Sequence, residues 1–282
     1  MKAQLNAVWA PADGEVDLFR KMSTILSSSY KVAFIQEVHK RSIRFMSTTV
    51  SVEARREIAD LWIIAYSPSR KKVKMTFLQA KFHKAHLARP GIFSAEFFQY
   101  ELLSKRLMLS SGGRLGLPKD ILNSSCCDSV GSYGIFYLDA TDKLELAYCS
   151  ANELRSLSQQ PKVYGQHHID LQFPVRAQAV GNCNTCTACT ERNYTYEIDV
   201  FTKSLLDLEI GADIYHNDKV LDYIRSVIVK KASSDPTISD FVQFINDVPP
   251  LGGDGGGAGD NSDDIGMPAH LLIINVDGEE EK

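Results

Sequence analysis

The sequence predicts an α/β fold, a mixed sheet flanked by helices, followed by a mainly helical C-terminal region. Three observations carry that prediction. Two β-rich apolar runs, DLWIIAYS (60–67) and VKMTFLQAKF (73–82), flank the turn signal PSRKK. Apolar residues recur at helical spacing around them, at 15–28 before and 93–109 after. Two further amphipathic stretches, at 218–231 and from 236, dominate the later part of the chain. The length of 282 residues, with 44% hydrophobic and 23% charged residues, is enough for a sizeable core in one large domain or two small ones.

Taken in order, EVDLFRKMSTILSS (15–28) reads as a short helix with Val16, Phe19, Met22, Ile25 and Leu26 on one face. Residues 30–46 fit a helix through Phe34, Val38 and Phe45, yet they are rich in β-branched residues. SVEARREIAD is a polar connector into the hairpin of 60–82. The aromatic-rich helix that follows carries Phe93, Phe97, Tyr100, Leu103 and Leu107, with Ser94 as its cap and Gly112-Gly113 as its stop. YGIFYLD (133–139) and LELAYCS (144–150) are short strands, and ANELRSLSQ is a short helix. Residues 161–193 read as irregular. After the two later helices, the second capped by Thr237, comes an acidic Gly-rich loop at 251–264. AHLLIINVD is a final strand. The natural division is 1–150 and 151–282.

The chemistry is expected in the hairpin. Strand side chains alternate, so Gln79 and Lys81 share a face, and the hairpin register brings Asp60 beside Gln79. One acid, one amide oxygen and one ammonium then converge. Oxygen ligands of this kind suit Mg²⁺ or Mn²⁺, which take one or two carboxylates and keep waters for substrate.

Asp60 at a strand start, followed on the next strand by Gln79-Ala80-Lys81, resembles the restriction-endonuclease-like PD-(D/E)XK nuclease superfamily in its Q-X-K form. The resemblance covers about residues 30–140. It implies a core of helix, three-stranded meander, helix and strand, and Mg²⁺-dependent hydrolysis of phosphodiester bonds in DNA. Asp60, Gln79 and the Ala80 carbonyl would hold the metal, and Lys81 would position the water. Glu37 would be a glutamate of the first core helix, and Gln99 a polar residue of the second. Gln79 departs from the commoner acid and removes one negative charge. The resemblance also implies a restriction or anti-phage defence role. No G-x4-G-K-[ST] motif occurs, so any motor or sensor would be a separate subunit. The alternative is a non-catalytic, zinc-stabilised nucleic-acid-binding or assembly subunit on a nuclease-like fold.

Charge is unevenly spread. Residues 1–120 hold 20 Lys and Arg against 10 Asp and Glu, whereas residues 121–282 hold 11 against 25. A basic half suits a polyanion. Arg70, Lys71, Lys72, Lys74, His83, Lys84 and Arg89 are the expected phosphate contacts, and His83 and His86 are also candidate general bases. Cys183, Cys186 and Cys189 form a C-x2-C-x2-C run suited to Zn²⁺, with Cys149 as the fourth ligand and Cys126, Cys127, His167 and His168 as alternatives. With no run of roughly 18 apolar residues and no secretory pattern at the N-terminus, the expectation is a cytoplasmic protein with reduced cysteines, able to form oligomers.

Overall fold

The structure is a computed structural model. It describes residues 1–36, 42–86, 91–110, 117–125, 127–157, 167–175, 179–182, 190–229, 235–249 and 269–278. In chain order the elements are α1 (Lys2–Val8), α2 (Glu15–Leu26), β1 (Lys31–Gln36), β2 (Ile43–Met46), β3 (Glu53–Arg56), β4 (Leu61–Ser67), β5 (Lys72–His86), β6 (Ile92–Glu96) and α3 (Phe97–Lys105). They continue with β7 (Gly131–Leu138), β8 (Leu144–Ser150), β9 (Arg155–Ser156), β10 (His168–Gln172), β11 (Ala179–Asn182), β12 (Thr190–Thr195), α4 (Ile198–Leu206), β13 (Ala212–Asp213), α5 (Asp218–Val229), α6 (Pro236–Asn246) and β14 (His270–Asn275).

The main sheet has the order β1-β14-β4-β5-β7-β8-β12-β11, with β13 joining β5. It is mixed: β4 and β5 are antiparallel, whereas β5 and β7 are parallel and joined by a crossover that contains α3. β4 and β8 are buried along their whole length because helices cover both faces of the sheet, so they read as continuous apolar runs.

One face packs Leu61, Ile63, Leu78, Ala80 and Phe136 against Leu18, Phe19 and Met22 of α2 and Phe201 of α4. Phe19 meets Phe136 edge-on, with ring centroids 4.9 Å apart. Burying a ring of this kind contributes about 2 kcal/mol. The other face packs Trp62, Ile64, Phe77, Tyr133 and Ile135 against Leu102 of α3, Leu221 and Ile224 of α5, and Phe241 of α6.

Several expectations change. Residues 31–36 form a strand, because β1 pairs with β14 along its full length, and the first helix on the sheet is α2. The aromatic stretch begins as β6, and its helix starts at Phe97 with Glu96, not Ser94, as cap. That helix ends at Arg106, whose φ of 50° is left-handed; Gly112 and Gly113 lie outside the described residues. The short helix after β8 is a single 3₁₀ turn, Ala151–Glu153. Asp235 rather than Thr237 caps α6, accepting from the Thr237 N–H at 2.9 Å.

The C-terminal part supplies α4, α5 and α6 and also strands of the main sheet. β14 runs parallel between β1 and β4 in the main sheet, and β12 extends the sheet from β8. The three-stranded meander therefore does not form as expected, since β4's second neighbour comes from the chain's far end. Among the described residues no helix is long and apolar enough to cross a membrane.

Candidate active site

Pairing of β4 with β5 ends at Leu61 opposite Leu78. The next residue on each side is Asp60 and Gln79, the predicted neighbours. β5 runs on past this point, so its Ala80 N–H has no β4 partner. The Asp60 carboxylate takes it: Oδ2 accepts from Ala80 N at 2.9 Å and from Gln79 Nε2 in a short contact. In an extended strand the N–H and C=O of one residue leave on the same side, so the Ala80 carbonyl faces the same edge. Gln79 is buried, and its Oε1 has no hydrogen-bond partner among the described residues. Lys81 lies two residues on, on the Gln79 face, and its charge reaches Asp60.

Burial pushes the Asp60 carboxyl up to about 6. The Ala80 hydrogen bond and the Lys81 charge pull it down, while Glu15 and Glu57 push it up. Burial is the largest of these causes.

Three groups not anticipated from the sequence complete the site. In the parallel β5–β7 register Tyr133 stands opposite Gln79. Its hydroxyl is buried without a partner among the described residues, and burial raises it well above its ordinary pKa, with Glu96, Tyr100 and Asp60 adding to the rise. Glu96 bonds Arg56 at 2.8 Å and caps α3 by accepting from the Gln99 N–H at 2.8 Å. Glu15, at the start of α2, reaches Asp60 electrostatically. Strand alternation marks Tyr133 as facing one side of β7, but only the crossover register places it beside Gln79.

The other expected residues divide. Glu37, Arg89, Cys126, Cys183, Cys186 and Cys189 lie outside the described residues. The side chains of Lys84 and His86, both on β5, are likewise not described. His83 is half-buried and its Nδ1 has no partner. Gln99 sits in the first turn of α3, held by Glu96.

Arg70, Lys71, Lys72 and Lys74 are not near the site. They lie at the opposite end of the hairpin, where Ser67 pairs with Lys72, roughly 20 Å along the strands from Asp60. Lys74 is buried with Nζ 3.8 Å from Cys127 Sγ. Arg70 donates to Ser67 Oγ at 3.1 Å and to the Leu206 carbonyl.

Cys149 is in the core, opposite Tyr133 and Tyr194. Its thiol donates to the Ser150 carbonyl at 3.3 Å, and burial holds it well above the usual thiol range. These contacts place it within the sheet; the cysteine run at 183–189 lies outside the described residues. Cys127 is also buried. His167 packs against Phe98 at 4.7 Å, and His168 is exposed opposite Glu96.

Two oxygens suit a divalent cation here, the Asp60 carboxylate and the unpartnered Gln79 Oε1, and the Ala80 carbonyl faces the same edge. The set fits a hard ion that keeps several waters. Among the described residues no group of three or more His, Cys, Asp or Glu is arranged to hold a metal. Compared with known protein families, curated proteins and solved structures, the chain matches none.

Proposed function

We propose that the chain is a metal-dependent nuclease that hydrolyses phosphodiester bonds of DNA. The observation that carries this reading is the meeting of Asp60, Gln79 and Lys81 where β5 outruns β4, beside the parallel strand β7. Asp60, Gln79 Oε1 and the Ala80 carbonyl would hold Mg²⁺ or Mn²⁺. When bound, such an ion polarises a phosphoryl oxygen and lowers the pKa of its water.

The chain's own residues do the rest. Asp60, poised at about 6 by burial, is ionised at neutral pH and draws a cation strongly because few waters compete for it. Lys81 donates toward the attacking water and orients it. Tyr133 closes the β7 side of the site with a donor that no protein group uses. A restriction or anti-phage setting follows from the family resemblance, with any motor or sensor on another chain.

The test is incubation of the purified chain with plasmid and single-stranded DNA in Mg²⁺, in Mn²⁺ and in EDTA, beside Lys81→Ala. Cleavage that needs metal and is lost in the variant is the expected result. Undiminished cleavage in EDTA or by Lys81→Ala refutes the assignment.

One observation favours a second reading. Gln79 spends its Nε2 on Asp60 and brings no charge, leaving a single carboxylate between the two strands. That suits a non-catalytic nucleic-acid-binding subunit with a zinc-stabilised cysteine loop. DNA binding without cleavage in either metal, with a full equivalent of zinc by elemental analysis, would select it.

A further inference from the structure

Arg70, Lys71, Lys72 and Lys74, expected to grip nucleic acid, sit at the far end of the hairpin, which raises the question of what replaces them. The two-stranded ribbon β2–β3 stands apart from the main sheet and runs directly into Asp60. Its inner face, Ile43, Phe45 and Ala54, belongs to the core. Its outer face presents Arg44, Met46, Glu53 and Arg55 to solvent.

Arg44 and Arg55 are directly opposite one another. Like charges in that position disfavour strand pairing. Glu53 pairs with Arg44 at 3.8 Å with both side chains half exposed, so it offsets little of the repulsion.

The ribbon is nonetheless held firmly. The buried Glu101 carboxylate accepts from Ser47 Oγ, from the Thr49 N–H at 2.8 Å and from Lys105 Nζ at 2.9 Å, fixing the turn between the strands. The root is fixed as well, by the Arg56–Glu96 pair and by the Arg56 guanidinium 5.2 Å above the Phe98 ring. Two exposed arginines, one of them only loosely paired with Glu53, are thus presented on a rigid support. Asp60 is five residues on from Arg55, which bounds the span at roughly 17 Å, about five nucleotides along one strand of a duplex.

We propose that the outer face of the β2–β3 ribbon is the surface that binds the nucleic-acid backbone, with Arg44 and Arg55 each neutralising a phosphate. The proposal rests on the nuclease reading for its partner. It does not need cleavage for its test. An anionic backbone relieves the Arg44–Arg55 repulsion that the ribbon otherwise carries, and phosphate contacts fix position without reading sequence.

The experiment measures binding of duplex DNA to the full chain carrying Asp60→Asn, in EDTA, over a series of salt concentrations. It is repeated with Arg44→Ala and Arg55→Ala added together. A control adds Lys71→Ala and Lys72→Ala, which remove the same charge from the exposed far end of the hairpin. Each phosphate contact contributes about 0.9 to the slope of log K against log salt. The ribbon pair should flatten the slope by about 2 and weaken binding at least tenfold in low salt. The control should leave the slope unchanged.

Binding whose slope is the same with and without the two arginines overturns the ribbon and leaves the nuclease reading standing. Equal flattening by the control also overturns it, because net charge would then explain the effect. A flattened slope confined to the ribbon pair supports the ribbon, and absence of cleavage by the wild-type chain in either metal would sink the nuclease reading separately. No binding by the parent chain overturns the ribbon and leaves the nuclease reading to the cleavage test.

Discussion

Asp60→Asn should make the metal-free protein more stable at pH 8, and the gain should fade in acid. The carboxyl stands at about 6 in the folded chain against an ordinary 3.8. Between those values the folded state binds more protons than the unfolded one, so stability falls as pH rises through the window. The cost is complete above about pH 6 and absent below about pH 4. Two units correspond to about 3 kcal/mol at 1.36 kcal/mol per unit. Partial exposure of Asp60 brings the expectation to about 1–3 kcal/mol. Asparagine keeps the acceptor oxygen that serves Ala80 N and Gln79 Nε2, so it removes the charge without breaking the local bonds. Urea unfolding of both proteins in EDTA at pH 8 and pH 4.5 is the assay, with about a third of the gain remaining at the lower pH. Added Mg²⁺ should raise the wild-type midpoint and leave the variant unmoved. An Asn variant that is less stable at pH 8, or a gain of equal size at both pH values, would refute the burial argument.

Gln79→Glu should set a second carboxylate against Asp60, lower metal-free stability by about 1–3 kcal/mol, and tighten Mg²⁺ binding; unfolding with and without Mg²⁺ reads both. Tyr133→Phe removes a hydroxyl that has no partner and keeps the ring that lies 5.7 Å from Phe93. Its stability should stay within about 1 kcal/mol of wild type while metal-dependent cleavage falls about tenfold, and a large loss of stability would show that the hydroxyl is structural. Gly211→Ala should destabilise by more than about 2 kcal/mol, since Gly211 has φ of 92° and an added Cβ would lie 2.5 Å from the Met75 carbonyl oxygen; thermal unfolding checks it.

The Asp60–Gln79 pairing was legible because it depends on local rules alone. Alternation and a short turn set the register of β4 on β5, and register decides which side chains meet. The faces of α2, α5 and α6 were legible for the same reason, from helical spacing within one segment.

What failed depended on contacts remote in sequence. Residues 31–36 carry an apolar run that suits either a helix or a strand. β14, more than two hundred residues later, makes it a strand by pairing with it along its whole length. Nothing local to AHLLIINVD says that it will slip between β1 and β4. Arg70 to Lys74 are close to Lys81 in sequence yet far from it in space, because an extended strand carries the chain about 3.3 Å per residue away from the site. Tyr133 stands beside Gln79 only through a parallel register that the crossover through α3 sets. The sequence by itself determined the pair of oxygens that a cation can use. The tertiary structure alone decided that Tyr133 and Glu96 close around them and that the arginines leading into Asp60 come from the ribbon, since parallel pairing and sheet order are fixed by packing between distant segments.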